Sequence, residues 1–433
     1  MIQRRSAAII TLRRFPLSSK SKYAALLLSS VLVVYAIIGG KFGRVSAQDT
    51  SLPQLEVFTQ VYEKVKNDYV DQTSMSNATL GAIRGLLEQV DPYSGYLNAK
   101  DVAFYKDFSF EKTPGIGVVL TRANGYPLVL EAIPGGPGAK AGLKTFDAIE
   151  AIDGVPTREM NLVQAYAYLA NPADKPVTLT LIGNNRSEPE TLKVNREVTR
   201  PPAVEAKILP MEIGYVRVPL LTQGKANDVK KQVEDLVKKG ATGIILDLRS
   251  SAAGKDTEGY QLANFFVDTG SLGYLQGQKV QRKLFPADPK LAITKAPLVV
   301  LVDGGTGGPA EIAAAALKDS KRGTLVGTHT FGTGSRQALI PLDGGAALLI
   351  SDAKYYSPSG KDLQMDGVAP DMIASKNRSG PDLNSAATLE APVRTADPRS
   401  EEEIQLEKAI QVLVCTRNKV ELERCIPDAK RAA

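Results

Sequence analysis

A glycine-rich segment at residues 114–118, Pro-Gly-Ile-Gly-Val, has the residue types of an anion-binding loop. It stands directly before a run of β-forming residues, so Gly115, Ile116 and Gly117 can present consecutive backbone N–H groups in a concave nest. Such a nest accepts a carboxylate, and an extended peptide can then pair with the edge of the following strand. A Gly-x-Gly before a strand also occurs as a plain turn, so the pattern alone leaves both interpretations open.

The histidine and cysteine content limits metal chemistry. The 433 residues include one histidine and two cysteines, whereas a zinc or iron–sulfur site takes about four converging side chains of these types. We therefore expect no metal and no other cofactor. The length suffices for two or three domains with their own cores, and the hydrophobic (43%) and charged (23%) shares exclude fibrous and disordered classes.

Positive charge is concentrated at the N-terminus. The net charge is +6, but residues 1–48 hold eight basic side chains and no acidic one, and the rest of the chain has 45 bases against 47 acids. The body therefore lacks the basic surface that nucleic-acid binding requires. Residues 23–38 are mostly apolar and Val45-Ser46-Ala47 fits a signal-peptidase site, which predicts a signal peptide or a signal anchor.

This segment predicts where the protein works. We expect the body to lie in the periplasm or another extracytoplasmic space, either free or anchored to the inner membrane by residues 23–38, with no other membrane contact. Cys415 and Cys425 can form a disulfide in such a compartment, and two unpaired thiols are the alternative.

Hydrophobic periodicity predicts the elements that must position these groups. Apolar residues at helical spacing indicate helices over 54–70 and 77–90. From about Phe108 to Arg196 the sequence shows short β-type runs around one helix at 162–169, which Asn161 and Gln164 begin with a capping-box-like pattern. After the linker at 200–202, unbroken apolar strands alternate with helices, which predicts a largely parallel sheet covered on both faces.

For the C-terminal half, the sequence predicts two helices in more detail and an irregular segment before the second. The helix over 226–239 is predicted to turn Val229, Val233, Leu236 and Val237 inward. Residues 377–401 are rich in Ser, Pro, Asp and Ala and are predicted to be flexible or to wrap the surface. A closing helix is expected over 404–414.

Six motifs resemble the carboxyl-terminal processing, or tail-specific, proteases. They are DPYSGYL (91–97), PGIGVVL (114–120), AKAGLKTFDAIEAIDGV (139–155), GIILDLRSSAAG (243–254), the stretch 301–337, and YYSPSGKDLQMDGVAPD (355–371). They follow one another in the family's order, and the resemblance covers roughly residues 53–373. It implies an α+β multidomain fold with an N-terminal helical hairpin, a β-rich PDZ domain and an α/β domain of the ClpP/crotonase-like type.

The resemblance also implies domain boundaries. After the signal segment (1–47) come an N-terminal helical segment (53–107), a PDZ domain (108–196), a tail-specific-protease-like domain (197–373), and a linker with a C-terminal helix (374–433).

The catalytic positions of this serine–lysine peptidase family are changed in this chain. Where the family carries its nucleophilic serine, the segment Thr-Gly-Gly-Pro-Ala-Glu (306–311) places Gly308, and where it carries its lysine base, Thr-Phe-Gly-Thr-Gly (330–334) places Thr333. The oxyanion-hole loop reads Ser-Ser-Ala-Ala-Gly at 250–254, whereas Asp319 matches an aspartate near the family's active site. Glycine has no attacking atom and a threonine hydroxyl is too weak a base, so we expect no catalytic residues here.

A displaced nucleophile is the alternative. Thr306 lies two residues before the vacant position and Ser335 two residues after Thr333, and the sole histidine, His329, lies in the same strand-turn as Thr333 and Ser335. A working site built from them needs one hydroxyl within hydrogen-bonding distance of the imidazole.

Three hypotheses for the function follow. The first is an exported pseudo-protease that binds C-terminal tails or extended peptides of envelope proteins without cleaving them, as an adaptor, chaperone-like holder or regulator. The second is an active serine-type endopeptidase in C-terminal processing that uses a displaced nucleophile. The third is a structural envelope protein, which neither binds tails nor cuts them.

Overall fold

A computed structural model of the chain describes residues 51–172, 174–183, 188–375 and 399–421. The apolar segment at 23–38, the predicted cleavage site and Cys425 lie outside these ranges. Among the described residues no helix combines the length and the apolar character needed to cross a membrane. The chain divides into two compact units, which meet between Thr79 and Leu80.

The first unit consists of helix α1 (Ser51–Asp68) and the start of α2 (Met75–Glu88). Both helices were predicted from apolar spacing. The apolar side chains of α1 are not buried: Leu55, Phe58 and Val61 are 60%, 47% and 55% exposed.

The second unit begins within α2, at Leu80, and its first strand belongs to a sheet formed mainly by residues far along the chain. Strand β1 (Gly95–Leu97) lies in the DPYSGYL motif and is followed by α3 (Ala99–Asp107), which Asn98 caps through its side-chain oxygen. A bend before β1 is fixed by Asp91, whose carboxylate accepts the N–H groups of Tyr93 and Ser94 (2.7 Å each).

A small β-rich module follows. Its elements are β2 (Val118–Ala123), β3 (Tyr126–Ala132), α4 (Pro137–Lys140), β4 (Ala148–Ile152), β5 (Val155–Pro156), α5 (Leu162–Ala170), β6 (Val177–Ile182) and β7 (Glu190–Val194). The strands form an antiparallel sheet in the order β2-β3-β4-β6-β7, with β5 paired to β4. The predicted capping box of Asn161 and Gln164 begins α5. Because β2 lies at the sheet edge, one side of it is open for pairing with another chain.

The C-terminal half is built on a six-stranded sheet. In chain order it adds β8 (Glu205–Leu209), β9 (Ile213–Arg217), α6 (Lys225–Lys238), β10 (Gly243–Asp247), α7 (Asp256–Asn264), β11 (Ser271–Gln276), β12 (Lys283–Pro286), β13 (Leu298–Val302), α8 (Pro309–Asp319), β14 (Thr324–Gly327), β15 (Ser335–Pro341), β16 (Ala347–Tyr356), β17 (Met372–Ile373) and α9 (Glu401–Arg417). The sheet order is β17-β14-β13-β10-β9-β8, and every pair is parallel except β8–β9. The expected largely parallel sheet is confirmed.

Helices cover both faces of this sheet. Side chains of α6, α7 and α8 form one apolar core with alternate strand residues, and α9 packs on the opposite face through Ala409, Val412, Leu413 and Cys415. Within α6, Val229, Val233 and Leu236 are buried as predicted, whereas Val237 is 38% exposed, so its predicted inward position is wrong. It lies one residue beyond the stripe that faces the sheet.

A second, antiparallel sheet was not predicted. Its order is β1-β16-β11-β12, with β15 paired to β16. Residues Gly95 to Leu97 pair with Leu349 to Ala347. The segment before the β-rich module is thereby joined to the C-terminal half, so the module is an insertion between two parts of one larger domain.

The closing helix α9 contributes directly to the core. Cys415 in this helix is 2% exposed and disulfide-bonded. Arg249, also buried, donates to Asp247 Oδ2 (2.6 Å) and to the carbonyl oxygen of Glu402 (3.0 Å), which ties the end of β10 to the start of α9.

We expect Leu413→Ala to lower the free energy of unfolding by about 2–5 kcal/mol, because the 1%-exposed side chain fills space against the sheet at Gly243. Denaturant unfolding measures the change. The exposed Gln411→Ala on the same helix is the control and should stay within about 0.5 kcal/mol of wild type. Equal stability of both variants would show that α9 does not hold the sheet.

Candidate active site and peptide groove

A sharp turn connects β13 to α8 and carries Gly308 at its tip. Gly308 has φ +51° and ψ −119°, a left-handed conformation that side chains rarely adopt. A strand, a strained turn and a helix that begins at once are the arrangement that exposes a nucleophile in hydrolases. The backbone therefore keeps the shape of a nucleophile position, while the residue there offers no attacking atom.

Thr333 lies beside this glycine. The Gly308 N–H donates to the Thr333 hydroxyl oxygen in a very short contact. A Cβ built on Gly308 would lie 3.6 Å from the same oxygen. The fold thus brings together the two positions that the sequence identified as those of the nucleophile and the base.

Glu311, in the first turn of α8, holds both residues in place. Its fully buried carboxylate accepts the N–H groups of Gly332 (2.6 Å), Thr333 (2.8 Å) and Gly308 (3.1 Å). It also accepts the hydroxyl groups of Thr330 (2.5 Å) and Thr333 (3.1 Å). Burial raises the pKa of Glu311, against the opposing effect of these hydrogen bonds. The carboxylate fixes the distance between the two loops.

The loop at 250–254 lies against the same turn. Ser250 has φ +49° and donates its N–H to Asp303 (2.8 Å), and Gly307 donates to the carbonyl oxygen of Ser251 (2.9 Å). The Ser251 hydroxyl is buried and has no hydrogen-bond partner among the described residues. Its neighbour Ala252 donates its N–H to Glu131 Oε2 at 3.0 Å.

Glu131 reaches this loop from β3 of the β-rich module. It is 1% exposed, and its second carboxyl oxygen, Oε1, has no partner among the described residues. Burial raises the pKa of Glu131 well above its ordinary value, and Asp303 adds to the effect. A carboxyl group of the β-rich module therefore occupies an N–H donor of the loop at 250–254.

Apolar contacts accompany this hydrogen bond. Leu130 Cδ2 lies 3.3 Å from where a Cβ would stand on Gly307, and the Phe146 ring lies 2.7 Å from the corresponding point on Gly304. The rings of Phe146 and Phe331 stack with centroids 6.4 Å apart. The β-rich module thus covers the turn, and a peptide could reach Gly308 from this side only by displacing these side chains.

The alternative nucleophiles are not assembled with the imidazole. Thr306 is fully buried, and its hydroxyl donates to the Leu248 carbonyl oxygen (2.8 Å) and lies 3.1 Å from Asp303. His329 is exposed. Ser335 accepts from the Gln337 amide (3.1 Å) and contacts the Ser351 hydroxyl (3.3 Å).

Asp319 lies at the other end of α8. Its carboxylate accepts the N–H of Ser359 at 2.9 Å. Partial burial would raise the pKa of Asp319, but the hydrogen bonds from Ser357 and Ser359 together outweigh it and lower the pKa of this carboxyl. The residue stabilises the turn at 357–361, a full helix length from Gly308.

The predicted peptide groove lies between β2 and α5. Its end is lined by the 115–117 loop, and Ile116, Val118 and Leu169 supply an apolar floor. Gly117 has φ +67°, the conformation that a nest needs. Gly115 differs from expectation, because its N–H donates to the Glu197 carbonyl oxygen (3.0 Å). The N–H groups of Ile116 and Gly117 have no acceptor among the described residues.

The side of the groove is partly closed by aromatic rings. The Leu120 N–H, on the open edge of β2, donates to the Tyr166 hydroxyl at 2.7 Å. The Phe108 ring packs on Tyr166 with centroids 4.9 Å apart, and Phe110 lies at 6.0 Å. A peptide that pairs with β2 must therefore exchange this hydroxyl for its own carbonyl oxygen.

Two residues of these sites, Glu131 and Tyr166, were not predicted. Glu131 stands in the apolar run Pro-Leu-Val-Leu-Glu-Ala, where a buried acid is unusual enough to have marked it. Tyr166 gave no comparable signal, because its partner, Leu120, is distant in sequence. Glu311 was recognisable as a residue that matches the family motif, but its contacts with the turn at 330–333 were not. The described residues contain no cluster of three or more His, Cys, Asp or Glu side chains suited to a metal ion.

Comparison with known proteins gives the relationships of the chain. Residues 212–374 match the peptidase family S41, residues 128–182 match PDZ domains, and residues 41–101 match the N-terminal domain of the activating protease CtpB. The carboxy-terminal-processing protease of Bartonella bacilliformis is 31% identical over 76% of this chain and 77% of its own. The carboxy-terminal processing protease CtpA of Bacillus subtilis is 29% identical over 74% and 69%.

A solved structure agrees with these relatives. The photosystem II D1 C-terminal processing protease superposes with a TM-score of 0.63 at 28% identity, over 73% of this chain and 92% of that one. The fold is thus that of a PDZ-containing serine peptidase. The chain belongs to the carboxy-terminal-processing proteases of peptidase family S41, and the resemblance read from its motifs is confirmed.

We expect Glu311→Ala to lower the free energy of unfolding by about 3 kcal/mol or more, because several buried donors lose their acceptor. Chemical denaturation measures the change. Asp319→Ala, at the partly exposed end of the same helix, is the matched control and should cost about 1 kcal/mol or less. A loss below about 1 kcal/mol for Glu311→Ala would contradict the role assigned to this carboxylate.

We expect Glu131→Gln to change the pH dependence of stability. A carboxyl group with a raised pKa in the folded state stabilises the fold fully below its unfolded pKa, near 4.5, and loses that contribution as the pH rises through the folded pKa. Glutamine cannot ionise, so at pH 7 the variant should be more stable than wild type by about 1 kcal/mol or more. Thermal unfolding across pH, with the exposed Glu111→Gln as control, tests this. Parallel pH profiles for wild type and Glu131→Gln would refute it.

Proposed function

We propose that this protein binds the C-terminal tails of other proteins through its PDZ groove and does not cleave them. It would be a pseudo-protease of its family that acts as an adaptor, a chaperone-like holder or a regulator. We also propose, from residues 1–47, that it works outside the cytoplasm on envelope proteins, either free or held at the inner membrane.

The observation that carries the proposal is the pairing of Gly308 with Thr333. Peptide hydrolysis through an acyl-enzyme needs a nucleophilic atom and a base within hydrogen-bonding distance of it. In this chain the first position has no side chain, and the hydroxyl at the second accepts the N–H of Gly308. Because nucleophile and base act as a unit, the loss of both removes most of the rate acceleration.

The state of the oxyanion donors supports the same conclusion. Acyl transfer uses free backbone N–H groups near the nucleophile to stabilise the oxyanion. Here the Gly308 N–H is shared between Thr333 and Glu311, and the Ala252 N–H donates to Glu131. A substrate carbonyl would have to compete with these internal acceptors.

The PDZ groove, by contrast, retains what tail binding needs. Two N–H groups of the loop at Ile116 and Gly117 are unused, the floor is apolar, and β2 is an edge strand. An extended peptide with a free carboxylate and an apolar last side chain fits this chemistry.

Active proteolysis is the second candidate function, and the names of the relatives favour it. All the relatives described above are carboxy-terminal processing proteases. A displaced nucleophile would have to come from Thr306, Ser335 or Thr333, of which Thr333 has a buried carboxylate, Glu311, at 3.1 Å. A structural envelope protein, the third candidate, predicts neither binding nor cleavage.

Peptide binding and cleavage assays on the purified protein separate the candidates. We expect a labelled peptide with an apolar last residue to bind at least about tenfold more tightly with a free carboxylate than with an amide, because a charge-assisted hydrogen bond is lost. We expect no cleavage of unstructured substrates with apolar C-termini. Equal affinity for acid and amide would refute tail binding.

Cleavage variants complete the design. Thr306→Val, Ser335→Ala, Thr333→Val and His329→Ala are assayed beside wild type, and activity that one of them abolishes would establish the second candidate. The double substitution Gly308→Ser with Thr333→Lys tests whether the surface around Gly308 in the peptidase half still binds a peptide in register for cleavage. Cleavage by this variant, with none by wild type, would show that the surface around Gly308 still aligns peptides. The absence of a serine at 308 and a lysine at 333 would then account for the inactivity of the wild type.

A further inference from the structure

The PDZ groove contains a hydroxyl group that nothing in the described structure uses. Thr199 is 6% exposed, and its Oγ1 has no hydrogen-bond partner among the described residues. Buried polar atoms in folded proteins are nearly always paired, so an unpaired one points to a missing ligand or water.

The position of Thr199 is informative. It follows β7, in the segment that leads out of the PDZ module toward β8, and it lines the same pocket as the glycine loop. Its hydroxyl oxygen lies 2.6 Å from the point where a Cβ would stand on Gly117. Its methyl group lies 3.2 Å from the corresponding point on Gly136. The hydroxyl is therefore held against the loop, in space that only a glycine at 117 leaves open.

Three donors without acceptors among the described residues belong to residues that line this pocket. They are the N–H groups of Ile116 and Gly117 and the hydroxyl of Thr199. The residues that line the pocket are glycines, apolar and aromatic side chains, and the two threonines Thr113 and Thr199. The Thr113 hydroxyl already accepts the Ser109 N–H at 3.2 Å. Neutral hydrogen-bond donors in a pocket without a lining acidic side chain suit a negatively charged ligand such as a carboxylate.

We propose that the Thr199 hydroxyl donates a hydrogen bond to the terminal carboxylate of the bound tail and so determines the preference for a free C-terminus. This inference rests on the proposed tail-binding function and adds a recognition residue that lies outside the glycine loop. The ligand class is a peptide with a free α-carboxylate and an apolar last side chain, which Ile116, Val118 and Leu169 would contact.

The proposal distinguishes a binding residue from a structural one. If Thr199 served only packing, replacing it with the isosteric valine would leave tail recognition intact. If its hydroxyl is kept for a ligand, valine should weaken binding and at the same time leave the free protein equally or more stable, because a buried unpaired hydroxyl is replaced by a methyl group.

The experiment uses the purified full-length chain and short fluorescein-labelled peptides that end in leucine, as free acid and as amide. We expect Thr199→Val to lower affinity for the acid about tenfold and to leave affinity for the amide unchanged, with an equal or higher melting temperature. Thr199→Ser retains the hydroxyl and should retain most of the preference, whereas Thr199→Ala should lose it.

The outcomes separate this inference from the function on which it rests. Wild-type protein that binds acid and amide equally would overturn tail binding and this inference together. A wild-type preference for the acid that Thr199→Val and Thr199→Ala both keep would overturn only the role of Thr199. Loss of the preference in Val and Ala, with its retention in Ser, supports the assignment.

Discussion

The buried carboxylate of Glu311 is the interaction on which the geometry of the peptidase half depends. It accepts hydrogen bonds from the tip of the β13–α8 turn and from the turn at 330–333, two segments that meet only in the folded chain. An acid at this depth is tolerated because its hydrogen bonds compensate for the loss of solvent. As a result, the turn that carries Gly308 and the turn at 330–333 are held next to each other by one buried side chain.

The contact between the PDZ module and the peptidase half also includes a buried carboxylate, that of Glu131, which accepts a backbone N–H. Leu130, Glu131 and Phe146 of the module lie on the loops around Gly308, with one hydrogen bond and several apolar contacts. In a hydrolase this region must admit a substrate. In this chain side chains of the module fill the region, whereas the groove between β2 and α5 keeps the N–H groups of Ile116 and Gly117 without acceptors among the described residues.

Much of the fold could be predicted because its signals are local. Apolar periodicity located both N-terminal helices, the buried strands β10 and β13, and the helices α6 and α8, and motif spacing located the two positions now seen as neighbours, Gly308 and Thr333. The antiparallel sheet could not be predicted, since strands β15 and β16 are partly exposed and β16 pairs with β1, more than two hundred residues away. Val237 was misplaced because hydrophobicity alone does not show where an apolar stripe ends.

Several contacts at the two sites could not be predicted for the same reason, because they join segments that are distant in sequence. The glycine loop was recognisable from its composition, but the use of the Gly115 N–H by Glu197 depends on a segment more than eighty residues later. Likewise, Thr199 looks like an ordinary linker residue in the sequence. Its significance comes from burial without a partner, which only the folded chain displays.

The left-handed turn at Gly308 has a consequence for how such a chain can change over time. Any residue with a Cβ at this point carries conformational strain, whereas glycine carries none, which is worth about 1 kcal/mol. At this backbone conformation stability alone therefore favours glycine over serine or any other residue with a side chain. The local conformational energy of this turn thus opposes substitution of Gly308, whatever the chemistry at the site.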